Sequence, residues 1–461
     1  MRTCKILVPS GCLGSPCPED ALRAGVAMRP DAIAVDAGST DSGPYYLGAA
    51  TSKMTRKAIK RDLRQLMLAR NALGVPLLIG SCGTSGSDAG VDWTAEICRE
   101  IAQEEGLRAK VALLYSEQTP AGLQPYLEAG RVKPLPPLGE LTADVLNACD
   151  HIVALIGYEP FADAVADGAD IVLAGRATDT AVLAAMALAA GLPAAPAWHA
   201  AKIAECGGLC TTSGSDGGVM ITIDEEGFEV EPLGANARCT PYTVSAHLLY
   251  ENANPYQLKE PGVIIDARDS VYTSLDDRKV RVTATRAEAQ PYTMKLEGAG
   301  RAGFRTMSFT GLADPKAMHA IGAWLAQLKA VLRARIESTL GYGPEDYQID
   351  FRPYGWNALD QSSHAAEAPV PNEVGLMVLV SAPTQDRAHE IAKFCNPALL
   401  HFPLSQDGPM PSWAFPFSPA EVDMGPYYEF RLNHVVSVDH PSELVRRTII
   451  TVGEDANSAA A

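Results

Sequence analysis

The chain of 461 residues lacks several features that would settle its class at once. It has no apolar run long enough to cross a bilayer. The most apolar stretch, Ala177 to Ala190, contains Asp179 and falls short of the roughly 20 residues a spanning helix needs. It has no G-x-x-x-x-G-K-S/T loop, so P-loop phosphoryl chemistry has no support, and no G-x-S-x-G elbow, which weakens an α/β-hydrolase reading. Positive charge is also short. The 38 Lys and Arg face 55 Asp and Glu, and a net charge of −17 opposes binding to nucleic acid or to anionic lipid. The N-terminal apolar run is broken at Pro9 and Gly11, too early for a signal peptide, so a cytoplasmic location is expected and no membrane partner. In that setting the ten cysteines read as reduced core thiols.

What is present is an ordinary globular composition, 47% hydrophobic and 20% charged, with length enough for two or three domains. The first 200 residues alternate short apolar runs with polar loops and helical periodicity. This predicts a doubly wound, mostly parallel α/β sheet with strands near Lys5–Val8, Ala32–Asp36, Pro76–Gly80, Lys110–Tyr115, His151–Ile156 and Asp170–Ala174. Helices are expected over Thr55–Leu73, over Val91–Glu105 with Asp88 or Asp92 as N-cap, and over Asp179–Ala190. Residues 1–200 are therefore read as a ligand-binding α/β domain. Residues 201–461 read as an α+β region, with hairpins around Asp224–Glu226 and Asp276–Arg278 and a long helix over Met318–Leu340. A strand over Leu376–Ser381 and a helix over Asp386–Cys395 follow, with a Pro- and aromatic-rich segment over 401–428. The large rings of that segment, Phe402, Trp413, Phe415, Phe417, Tyr427 and Tyr428, are expected at a subunit contact, implying a homo-oligomer.

Ligands of an open parallel sheet sit outside the carboxyl ends of its strands. The residues following those ends are polar. Asp36, Ser39, Thr40, Asp41 and Ser42 follow the second strand, and Ser81, Cys82, Thr84, Ser85 and Asp88 follow the third. Glu117 follows the fourth, and Arg176, Thr178 and Asp179 the last. Ser39, Thr40, Ser42, Ser81, Thr84, Ser85, Thr178 and Asp179 are candidate substrate contacts, and Arg176 is the candidate clamp for a carboxylate. Its competing role is a buried ion pair with Asp36, Asp41 or Asp179. Asp36, Asp41, Asp88 and Glu117 are candidate proton-transfer groups, with Cys82 as a candidate nucleophile. Crowded carboxylates have a second use, as ligands of a hard divalent cation, Mg²⁺ or Ca²⁺, although no cofactor is firmly implied. Two motifs fail. Gly298-Ala-Gly-Arg-Ala-Gly303 matches G-x-G-x-x-G, but an alternating, strand-like run follows it where a dinucleotide site needs a helix. Cys206-Gly-Gly-Leu-Cys210, with Cys239 downstream, resembles part of a soft-metal site, yet no second close Cys or His pair completes it.

The order Cys4–Gly14, Asp36–Gly43, Gly80–Gly90 and Gly168-Ala-Asp-Ile-Val-Leu-Ala-Gly-Arg-Ala-Thr-Asp179 resembles the acyclic terpene utilisation (AtuA) family over roughly Ile6 to Asp360. Gly168–Asp179 is the most specific match. Where better-known members carry a Gly-Phe-x-Gly-Asp-Arg-like segment, this chain reads Gly11-Cys-Leu-Gly-Ser-Pro-Cys-Pro-Glu-Asp20 without the Arg, which places it in a divergent branch. The resemblance implies a catabolic protein acting with a small companion subunit. The favoured reading is a lyase or hydratase working beside a carboxylate or acyl-CoA carbonyl. The alternatives are an isomerase of an unsaturated carboxylic acid and a non-catalytic metabolite-binding or scaffolding subunit.

Overall fold

A computed structural model describes residues 2–359, 370–403 and 413–453. The chain forms two compact units, one of Met1–Gly300 with Phe430–Ala461 and one of Arg301–Glu429.

The first unit is built on a ten-stranded sheet. Five strands form its parallel centre, in the spatial order Thr3–Val8, Ala32–Asp36, Leu77–Gly80, Ile171–Ala174 and Ala109–Tyr115. Their side chains divide cleanly by parity. Ile6, Val8, Ala32, Ala34 and Leu78 enter a core on one face, whereas Leu7, Ile33, Val35, Leu77 and Ile79 enter a second core on the other. That alternation inside apolar runs is what two helical layers require. One layer includes Asp179–Ala189 and Ala194–Ala204; the other includes Arg56–Leu73 and Asp88–Glu105. The α/β class is therefore as expected.

Several details differ from the sequence reading. His151–Ala154 does not join the parallel sheet; it pairs antiparallel with Leu296–Ala299 and with Glu117–Gln118. Its short apolar run satisfies either pairing, so the run alone does not reveal the partner. Ser87 caps the helix that starts at Asp88, because its hydroxyl rather than the Asp88 or Asp92 carboxylate accepts the Gly90 N–H at 3.2 Å. The expected division at residue 200 falls inside the first unit. Val219–Asp224 pairs antiparallel with Thr3–Val8 over six residue pairs, from Thr3↔Asp224 to Val8↔Val219, and so extends the same sheet. The hairpin Val219–Asp224 and Gly227–Pro232 and the pair Val271–Ser274 and Val280–Thr283 are both present.

In the second unit, Gln348–Tyr354 and Val374–Ala382 pair antiparallel, as do Val374–Ala382 and Phe304–Leu312. The glycine-rich Gly298–Gly303 lies inside one strand, Thr293–Leu312, so that strand rather than helix directly follows the glycines. The expected single helix over Met318–Leu340 is divided into Pro315–His319, Ile321–Arg335 and a π turn over Ile336–Leu340. Part of the Pro- and aromatic-rich segment, 404–412, lies outside the described residues. At its described ends, Phe402 and Trp413 are buried and pack edge-on against Trp324, with ring centroids 6.1 and 5.7 Å apart. These two rings are covered by the unit's own core, which removes them as anchors of a subunit contact. Among the described residues no helix is long and apolar enough to cross a membrane.

Candidate active site

The polar loops converge at the carboxyl edge of the parallel strands. Asp36 is the last residue of its strand, and Gly38 then adopts φ 144°, passing so close to the next loop that a Cβ would meet the Thr84 Cα at 2.6 Å. The two loops thereby wall a cavity of about 470 Å³. Asp36, Ser39, Asp41, Ser42, Thr84 and Asp179 line it, joined by Cys12, Lys53, Cys206, Tyr250 and Glu251.

Asp36 has the most unusual setting. Only 5% of it is exposed, its Oδ2 accepts the Gly38 N–H at 2.7 Å, and its Oδ1 is enclosed without a hydrogen-bond partner. Burial, followed by the charge of Asp179, raises the carboxyl well above the usual range, and the nearby Arg176 offsets this only in part. Asp179, at the start of Asp179–Ala189, is also raised by burial despite its contact with Arg176. The charge of Asp179 thus disfavours ionisation of the neighbouring Asp36. Around this pair, Ser39 Oγ donates to Asp41 Oδ2 at 2.6 Å, Lys53 Nζ donates to Ser42 Oγ at 2.9 Å, and the Lys53 N–H donates to Thr84 Oγ1 at 2.9 Å.

Arg176 takes its competing role. It is 6% exposed, and Nε donates to Glu297 Oε2 at 3.2 Å while Nη1 donates to Ser81 Oγ at 3.1 Å, the Ala177 carbonyl at 2.7 Å and Asp179 Oδ1 at 3.3 Å. A guanidinium so engaged is an internal counter-ion rather than a free clamp. Glu297 confirms the pairing: burial raises its carboxyl, yet Arg176 and Lys295 together bring it below the usual value. Lys53 is thus the cationic side chain on the cavity wall.

Other expected site residues lie elsewhere. Ser81 and Ser85 are fully buried, and Ser85 Oγ donates to the Tyr46 carbonyl at 3.3 Å. Thr178 caps its helix by accepting the Ala181 N–H at 3.1 Å. Asp88 and Glu117 form a separate network: Glu117 Oε2 accepts the Asp88 N–H at 2.8 Å, Glu117 Oε1 meets His151 Nδ1 at 2.5 Å, and Arg446 pairs with Asp88. Cys82 is fully buried, and burial pushes its thiol up to about 12, the opposite of an activated nucleophile. Thr40 lines a neighbouring cavity of about 370 Å³ with Pro137, Leu138, Lys295, Glu297, Phe430, Leu432 and Asn433; Asp41 lies in the wall of both cavities.

Sequence reasoning places Cys12 at this edge, after the first strand, but missed Lys53, Tyr250, Glu251, Glu205 and Glu260. Lys53 sits just before the cap of a surface helix, where a lysine is unremarkable. Glu260 closes a short strand far along the chain; burial lifts its carboxyl to about 7, with the Thr180 and Thr178 hydroxyls opposing the rise.

Among the described residues, the side chains that gather as a potential ion-binding set are Glu205, Cys206 and His247, rather than the carboxylates of the strand-end loops.

Fold and cavity define an α/β protein with a carboxyl-rich pocket at the carboxyl edge of a parallel sheet. The family model described as acyclic terpene utilisation family protein AtuA matches residues 84–415, and the chain belongs to that family. Membership implies a part in acyclic terpene utilisation, a catabolic role. The match takes in Gly168–Asp179 but begins after the Asp36–Gly43 loop. No curated protein and no solved structure matches.

Proposed function

We propose that the first unit is a lyase of the hydratase type, adding or removing water across a carbon–carbon bond beside the carboxylate or thioester carbonyl of an unsaturated acyclic acid. The observation that carries this reading is Asp36, whose buried, unpartnered Oδ1 belongs to a raised carboxyl in the cavity wall beside Asp179. In the hydration direction the ionised member of the pair takes a proton from water as its oxygen bonds to the β carbon. The protonated member then delivers a proton to the α carbon, and dehydration reverses both transfers. Lys53 is placed to attract the substrate's carboxylate or carbonyl oxygen. The neighbouring cavity, with Pro137, Leu138, Phe430 and Leu432 in its wall, suits a branched hydrocarbon chain. The ten cysteines are free thiols, which supports placing the reaction in the reducing cytoplasm.

Asp36→Asn keeps the shape of the side chain and removes its titration. Against a panel of unsaturated acyclic acids and their CoA thioesters, the variant is expected to lose about 10²- to 10⁴-fold in turnover with its melting temperature preserved. Turnover in H₂¹⁸O should place ¹⁸O in the product. Deuterium exchange from D₂O without ¹⁸O would instead identify an isomerase, and wild-type turnover by Asp36→Asn would remove the carboxyl pair from the chemistry.

A further inference from the structure

The helix Ala194–Ala204 ends at Glu205, and the chain then turns through Cys206 into the short 3-10 helix Gly207–Cys210. The turn is fixed by a backbone crossing. Gly207 has φ +58°, and a Cβ there would lie 2.5 Å from the Gly11 N. No larger residue permits that approach, so the position of Cys206 at the cavity edge is set by main chain. The ligand-capable atoms of Glu205, Cys206 and His247 all lie within 4.8 Å of one another. His247 ends the helix Pro241–His247; it is 6% exposed, and its Nε2 is enclosed with no hydrogen-bond partner. Tyr250 stacks on the imidazole at 5.5 Å with an interplanar angle of 13°, which fixes the plane of the ring. Lys202 pairs with Oε1 of Glu205, leaving Oε2 outside that ion pair.

We infer that Glu205, Cys206 and His247 form a binding site for a zinc-like divalent cation at the edge of the cavity. Nitrogen, sulfur and oxygen donors together favour a borderline-soft ion over Mg²⁺ or Ca²⁺, which take oxygen ligands. Ligand atoms on tetrahedral zinc stand about 3.3–3.8 Å apart, given bonds of about 2.0–2.3 Å, so small side-chain rotations close the observed set. Three protein ligands leave a fourth position for water or substrate. Because Cys206 also lines the cavity that holds Asp36 and Asp179, that position borders the same space. The stretch Cys206–Cys210 therefore contributes one ligand rather than a pair. Cys210 is buried, and its Sγ donates to the Gly207 carbonyl at 3.5 Å.

The test uses the full chain, stripped with a chelator and titrated with Zn²⁺, and separately with Co²⁺ as a spectroscopic probe. One equivalent of Zn²⁺ should bind in the presence of excess Mg²⁺, and the Co²⁺ form should show thiolate-to-cobalt charge-transfer absorption. Cys206→Ser, close in shape and checked for folding by circular dichroism, should abolish that absorption. It should also weaken Zn²⁺ by more than tenfold, since lost outer-shell partners alone cost about 10- to 100-fold. His247→Gln should weaken Zn²⁺ similarly; if it fails to fold, Cys206→Ser decides alone. Less than one equivalent bound to the wild type, or undiminished binding by Cys206→Ser, overturns the inference. It is independent of the proton-transfer reading, so Asp36→Asn should still bind its equivalent of Zn²⁺.

Discussion

Glu260 offers a test of the site's electrostatics that needs no substrate. Its strand, Gln257–Glu260, pairs with Val263–Asp266, and its Oε2 is enclosed without a hydrogen-bond partner. Burial lifts the carboxyl from 4.5 to about 7, against the opposing Thr180 and Thr178 hydroxyls and the Lys202 charge. At about 1.4 kcal/mol per pH unit, that displacement corresponds to about 3.5 kcal/mol of preference for the protonated folded state. The native chain keeps a proton that the unfolded chain releases between these two values, so this contribution is complete below 4.5 and is lost as pH rises through about 7. Glu260→Gln carries no such proton. Urea unfolding of both proteins from about pH 5 to about pH 8 should show the wild type losing about 2.5 kcal/mol relative to the variant, with matching slopes against urea. A stability difference constant over that range would refute the claim that Glu260 is held neutral in the fold.

Arg176→Met should destabilise the first unit by about 3–5 kcal/mol in urea unfolding, because it removes one of the two ion-pair partners of the buried Glu297 and the ion pair to Asp179 as well. A variant of undiminished stability that loses only ligand affinity would restore Arg176 as a clamp. Trp413→Ala should cost the second unit about 3–5 kcal/mol and its near-ultraviolet dichroism, because Trp413 packs on Trp324 in that unit's core. A change confined to sedimentation, with folding intact, would point back to a subunit contact. Cys82→Ala should keep full turnover, and iodoacetamide should leave Cys82 unlabelled in the native protein at neutral pH, as its buried, raised thiol requires; rapid labelling would contradict this.

The parallel strands were legible because doubly buried strands leave continuous apolar runs, and Ala32–Asp36 begins and ends where its sequence says. The convergence of polar loops was legible for a related reason: a parallel sheet sends every strand's carboxyl end to the same edge. Pairing was not legible at His151–Ala154, since a short apolar run carries no record of its neighbour. Nor was the state of Arg176. Its main partner is Glu297, 121 residues further along the chain, and only the folded structure shows that its charge is already taken. Cys82 failed as a nucleophile for the opposite reason: the glycine-rich context that reads as a reactive turn also lets the chain bury the thiol completely.

The balance of charge near the cavity bears on the proton-transfer role proposed for Asp36. Asp36, Asp179, Glu205, Glu260 and Glu297 influence one another, directly or through their neighbours, and the cations among them are Arg176 and Lys202, with Lys295 beside Glu297. Arg176 and Lys295 bring Glu297 below its usual value. Lys202 pairs with Glu205, yet burial outweighs the partner and raises that carboxyl above its usual value. The remaining carboxyls cannot all ionise in so enclosed a region, and Asp36 and Glu260 are raised accordingly. A fold selected for stability alone would replace such groups with apolar ones, because buried carboxyls without full compensation cost several kcal/mol. Of these groups Asp36 and Asp179 line the cavity, and Asp36 Oδ1 is left there without a hydrogen-bond partner, which is the setting on which the proton-transfer role proposed above rests.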